Sequence, residues 1–182
     1  MRAMTEQNLI DAFGGESQAH MRYLKFSEVA SQEKLPNVSR LFSAISRAEI
    51  IHAHSHYKNL SHLKGGRTAN SGATFGPGDT LKNLELALMG ETFEVEEMYP
   101  VYIEVAKFQK EAGASTSFER AFATEQMHKA LFEKAIAAVG KRNDVELNKV
   151  HVCSVCGYTL ENESAPEICP VCSAKKEKYI SF

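Results

Sequence analysis

Apolar residues recur every three or four positions across residues 5–34, at Leu9, Ile10, Phe13, Met21, Leu24 and Val29, a spacing that predicts an amphipathic helix. Pro36 marks a break and then fits the first turn of a second helix, expected to run to about Leu63, ahead of Gly65-Gly66. Residues 65–78 are rich in Gly, Ser, Thr and Asn and close on Gly76-Pro77-Gly78, which reads as a long crossover loop. A third helix is expected from Asp79 or Thr80 to about Glu111, kinked at Pro100 and ended by Gly113. Thr116 followed by Glu119 has the form of a capping box, so a fourth helix is expected from there to Val139, stopping at Gly140. Four rods joined by short, long and short connections predict a mainly α four-helix bundle with one crossover.

Beyond a charged linker at residues 141–149 the pattern changes. The stretch from Val150 to Phe182 holds all four cysteines and little helical periodicity. We therefore expect two units, a bundle over residues 1–146 and a small module over 147–182 that needs a metal to hold it together. Cys153-Ser154-Val155-Cys156-Gly157 and Cys169-Pro170-Val171-Cys172 form two knuckles, the ligand set for tetrahedral thiolate coordination of one iron or zinc. Gly157 suits a tight knuckle whose amides point at sulfur.

The 182 residues carry 21 basic and 23 acidic side chains without a basic stripe, which argues against a nucleic-acid partner. The amino terminus lacks the pattern of a secretory signal, and no apolar run reaches the roughly 18 residues of a membrane span. A cytoplasmic protein is expected, with its cysteines ligating metal rather than forming disulfides.

The two halves of the bundle echo each other. Ala12-Phe13-Gly14-Gly15-Glu16-Ser17 is similar to Ala87-Leu88-Met89-Gly90-Glu91-Thr92, and a Glu-x-x-His follows each, at Glu49-Ile50-Ile51-His52 and Glu125-Gln126-Met127-His128. Residues three apart on a helix lie on one face, so each pair can reach a common point in the bundle interior. A single Glu on a helix is usually a solvated residue, but two matched motifs are harder to dismiss. A glutamate from each of two helices and Glu-x-x-His from the other two is the pattern of di-iron carboxylate bundles. With Glu94, one turn beyond Glu91, the candidate ligands are Glu16, Glu49, His52, Glu91, Glu94, Glu125 and His128. Glu97 reads as a surface or supporting residue, His56 as ordinary or as half of a small surface site with His52, and His20, His62 and His151 as structural. Tyr23 and Tyr99 are either packing residues or hydroxyl donors to the carboxylates.

Taken together, Gly15-Glu16-Ser17-Gln18-Ala19, both Glu-x-x-His motifs, Gly90-Glu91-x-x-Glu94, Glu97-Met98-Tyr99-Pro100 and both knuckles resemble the rubrerythrins, over nearly the whole chain. That family joins a ferritin-like di-iron bundle to a rubredoxin-like domain. The resemblance implies that Glu49 and Glu125 bridge two irons, that Glu16, Glu91 and His128 are terminal ligands, and that Glu94 and His52 alternate on one iron. It implies the two tyrosines as hydroxyl donors, and reduction of hydrogen peroxide to water. Electrons would come from an external NAD(P)H-dependent rubredoxin or flavin reductase through the thiolate-bound iron. Head-to-tail homodimers, in which one chain's rubredoxin domain nears the other chain's di-iron site, are implied as well. The chain itself has no Gly-x-Gly-x-x-Gly after a strand with which to bind nicotinamide. Ser173 departs from rubredoxins, which commonly have glycine there. The alternative is an iron-oxidising or iron-holding bundle with a structural zinc ribbon.

Overall fold

The computed structural model describes residues 1–182. Helix α1 (Ala3–Gln32) pairs with α2 (Pro36–Lys58), and residues 63–79 cross without regular structure to α3 (Thr80–Phe93). A π-helical segment (Glu94–Met98) joins α3 to α4 (Tyr99–Phe108) as one continuous rod, and α5 (Ala112–Val139) is the fourth. The chain ends in a three-stranded antiparallel sheet of β1 (Lys149–Cys153), β2 (Thr159–Asn162) and β3 (Tyr179–Ser181), with β1 central. The fold is thus a ferritin-like four-helix bundle carrying a rubredoxin-like four-cysteine domain. No helix is long and apolar enough to cross a membrane.

Three sequence expectations need correction. The distortion of the third rod precedes Pro100: the Tyr99 amide reaches back five residues to the Glu94 carbonyl, and the proline then occupies the first turn of α4, where its missing N–H is harmless. The rod ends at Phe108, with Lys110 rather than Gly113 taking the left-handed turn (φ 60°). Gly113 lies inside α5 because a Cβ there would come within 2.5 Å of Asn59 Oδ1, and Thr116 is helix interior rather than a cap.

Two apolar clusters fill the bundle. One centres on Tyr23, Phe26, Phe42 and Phe132, the other on Leu9, Tyr99, Ile103 and Phe118. Between them α1, α2, α3 and α5 each insert buried polar residues, Glu16, then Glu49, His52 and His56, then Glu91, then Glu125 and His128. A polar layer of this kind costs several kcal/mol per uncompensated charge, so its presence on all four rods points to a function.

The terminal module is not held by metal alone. Val150 and Val152 of β1 join the bundle's own apolar cluster. Asp144 in the linker accepts from the amides of Asn37 (2.8 Å) and Val38 (3.1 Å), capping α2 where Leu35 offers no side chain. Arg40 donates to the carbonyls of Leu147 (3.1 Å), Asn148 (2.9 Å) and Phe182 (3.0 Å), so linker and final strand are clasped to α2.

Candidate metal centre

Six of the seven candidate ligands converge, in two overlapping clusters of ligand atoms that each span at most 4.8 Å. One holds Glu16, Glu49, His52 and Glu125; the other holds Glu49, Glu91, Glu125 and His128. The shared carboxylates each turn one oxygen toward each imidazole. His52 Nδ1 lies 3.1 Å from Glu49 Oε2 and 2.8 Å from Glu125 Oε1, while His128 Nδ1 lies 3.1 Å from Glu49 Oε1 and 2.7 Å from Glu125 Oε2. Glu94 belongs to neither cluster and sits half-buried at the rim, and Glu97 is exposed.

Short as these contacts are, the atoms mostly do not aim at each other. Both oxygens of Glu125, Glu49 Oε1, Glu91 Oε2, Glu16 Oε2 and His128 Nδ1 are buried without a hydrogen-bond partner. Lone pairs that converge on one another rather than on donors fit a pair of cations, and oxygen-rich sites with one imidazole each suit iron. Electrostatics agree. Burial first, and then the charges of Glu125 and Glu49, push Glu16 well above the usual carboxylate range and Glu91 to about 8. Burial and the Glu16 charge raise Glu94 likewise. Burial opposes charge on His52 and His128, yet the surrounding carboxylates hold both well above an ordinary imidazole. Two divalent ions would relieve this mutual repulsion.

Both tyrosines donate to these carboxylates, each to the other half's glutamate. Tyr23 on α1 gives its hydroxyl hydrogen to Glu91 at 2.6 Å, and Tyr99 on α4 gives its own to Glu16. The tyrosine follows its own half's glutamate by 7 residues in the first half and 8 in the second, and Glu-x-x-His follows by 33 and 34. The wide π turn between Glu91 and Tyr99 absorbs that single extra residue.

The outer nitrogens of the two imidazoles differ. His128 Nε2 lies 3.0 Å from Thr159 Oγ1, and that hydroxyl donates to the Gly157 carbonyl at 2.9 Å. With Nδ1 facing the carboxylates, Nε2 carries the hydrogen, giving a chain from imidazole to knuckle. His52 Nε2 has no partner, because Gly157 packs directly on the ring; a Cβ there would come within 2.6 Å of His52 Cδ2. Within one chain, the first knuckle thus lies directly against the pocket.

The four cysteines are free thiols, with Sγ separations of 3.7 Å for Cys153–Cys172 and Cys156–Cys169. A disulfide needs about 2 Å, whereas a tetrahedron of metal–sulfur bonds about 2.3 Å long has edges near 3.8 Å, so these residues fit one metal ion. A bond from the Cys156 thiol and the Val155 and Cys156 amides hold Cys153 down at about 5. Gly157 takes φ 84°, and Ser173 takes the equivalent left-handed turn (φ 61°) of the second knuckle.

Comparison with known proteins agrees with this arrangement. The family model described as rubrerythrin matches residues 7–136, well over half the chain. The chain belongs to the rubrerythrin family. A second model, the rubrerythrin rubredoxin-like domain, matches residues 151–180. Rubrerythrin-2 of Clostridium acetobutylicum is 41% identical over 99% of this chain and 97% of its own length. Nigerythrin of Nitratidesulfovibrio vulgaris is 30% identical over 98% and 86%. The solved structure of fully reduced, all-ferrous nigerythrin superimposes with a TM-score of 0.84 at 29% identity, covering 98% of this chain and 86% of that one. As a rubrerythrin-family protein the chain carries candidate positions for a di-iron centre and for a rubredoxin-like metal site.

Sequence reasoning left His56 as an ordinary residue or half of a small surface site, and the structure buries it completely. It stands one helical turn from His52 on the same face of α2, between Tyr99 and Ser117. The four-residue phase with His52 was the available signal. Thr159 carried none, because its contact depends on how the module docks.

Proposed function

We propose that this protein reduces hydrogen peroxide to water at the carboxylate pocket, with electrons relayed through the four-cysteine site. The observation that carries this reading is the docking of the knuckle on the pocket, Gly157 against His52 and Thr159 bonded to His128. A structural ribbon has no need to touch both imidazoles of a metal pocket.

In this reading Glu49 and Glu125 would be shared by two metals, with Glu16 and His52 completing one position and Glu91 and His128 the other. Irons held by these residues would supply the electron pair for breaking the O–O bond, and an iron held by the four cysteines would be the one-electron relay. Tyr23 and Tyr99 hold the terminal carboxylates in place by hydrogen bonds. Glu94, whose pKa is raised by burial and by the Glu16 charge, is the group offered for exchange with His52. The proposal includes alternation of the two on one metal, as the family resemblance implies. The bundle and its module divide the work as residues 1–146 and 147–182. The reductant is an external NAD(P)H-dependent rubredoxin or flavin reductase, and the setting is the cytoplasm. A homodimer fits the same proposal, with the relay running inside each chain rather than only between chains.

The test is reoxidation of anaerobically reduced protein by stoichiometric peroxide and, separately, by air, followed by visible absorption. Peroxide should act much faster, and the thiolate site should be coloured. Equal rates, or a colourless tetrathiolate site, would favour the iron-oxidising reading with a zinc ribbon.

A further inference from the structure

His56 belongs to neither ligand cluster, yet it is fully buried and both its ring nitrogens are bonded. The direction of each bond follows from counting hydrogens. Tyr99 has one hydroxyl hydrogen and gives it to Glu16, so its oxygen accepts from His56 Nε2 at 3.1 Å. His56 Nδ1 then lacks a hydrogen and accepts from the Ser117 hydroxyl at 2.9 Å. Ser117 accepts in turn from Ser55, 2.8 Å away. Ser117 is buried, and Ser55, half-exposed on α2, is the member that meets solvent. Every donor along this line points inward, toward a pocket whose carboxylates are sealed from water. An apolar side chain would pack as well beside Phe118, whose ring centre is 5.3 Å away, without the cost of burying an imidazole.

We propose that Ser55, Ser117, His56 and Tyr99 form a proton path from solvent to the Glu16 end of the pocket, feeding the protons that peroxide reduction consumes. The purpose rests on the peroxidase reading; the path does not. One hydrogen peroxide becomes two waters by taking up two electrons, from the external reductase through the thiolate-ligated iron, and two protons. At each passage Tyr99 releases its hydroxyl proton toward Glu16 and takes the Nε2 proton of His56. His56 takes the Ser117 proton at Nδ1, Ser117 takes that of Ser55, and Ser55 takes one from water. Rotation of the hydroxyls and a half-turn of the imidazole restore the line.

The experiment uses the full chain loaded with zinc, in which NMR follows exchange of the Tyr99 hydroxyl proton with solvent. Exchange should slow roughly ten- to a hundred-fold in Ser117→Ala and in His56→Leu, while Ser117→Thr, which keeps the hydroxyl, should exchange at the native rate. In the iron-loaded protein, Ser117→Ala should slow single-turnover reoxidation by peroxide and enlarge its solvent deuterium isotope effect. Native exchange in both disrupting variants, or equal slowing in Ser117→Thr, overturns the path. Slowed exchange with native peroxide turnover overturns its role as the supply. If exchange behaves as expected but even the native protein fails to reduce peroxide, the path stands and the peroxidase reading falls.

Discussion

Replacing Gly157 by alanine tests whether the knuckle's seat on the pocket is as tight as the structure shows. The added Cβ would lie 2.6 Å from His52 Cδ2 and 3.3 Å from the Ala48 carbonyl, against ordinary carbon contacts of about 3.5–4.0 Å. His52 cannot give way without leaving Glu49 and Glu125, 3.1 and 2.8 Å from its Nδ1, so the knuckle must retreat by roughly 1 Å. The overpacking costs about 1–3 kcal/mol. A further 1–2 kcal/mol, roughly, comes from placing a side chain at φ 84°. Gly76 supplies the control, because it has φ 87° and nothing within 4 Å, so Gly76→Ala carries only the backbone cost. Thermal unfolding of zinc-loaded protein should show Gly157→Ala melting roughly 5–15 °C below the parent and clearly below Gly76→Ala. Protease cleavage in residues 140–149 should rise in the first variant alone. Equal losses in the two variants would refute the claim that the contact with His52 matters.

Thr159→Val removes the acceptor from His128 Nε2 and should weaken metal binding in the bundle about 10–100-fold by competition with a chelator, leaving the thiolate site's affinity unchanged. Ser173→Gly relieves a left-handed turn at φ 61° and should stabilise the thiolate module by about 1 kcal/mol in denaturant titration. The metal-free protein should lose stability as pH rises from 5 to 8. Glu91, with a folded value of about 8, favours the folded chain fully below its unfolded value near 4.5 and ceases to do so as pH passes 8, and the raised imidazoles act in the same direction. Added divalent metal, which needs the carboxylates ionised, should reverse the trend; melting curves at three pH values with and without metal decide it.

The residues that gather into the candidate clusters were legible because their chemistry is rare and their spacing is set by helix geometry: Glu-x-x-His must face one side, and paired cysteines must make a knuckle. The rods were legible from Pro36 and the apolar stripes. What failed were inferences from a single residue's habit. Pro100 suggested a kink at itself, but the strain lies one turn earlier. Gly113 suggested a stop, but its missing side chain serves Asn59. His56 and Thr159 act through tertiary contacts that no local pattern encodes, and Val150 and Val152 looked like part of a separate module until they were seen inside the bundle's core.

The wide turn at Glu94–Met98 bears on anyone who would redesign this bundle. Copying the first half in place of the second would require deleting one residue between Glu91 and Tyr99. That repair to the helix would swing the rim glutamate, or the tyrosine beyond it, by about a quarter-turn around the axis. The repeat is thus imperfect beside Glu94, where the first half has only Ala19, and a perfectly symmetrical descendant should lose the spare carboxylate.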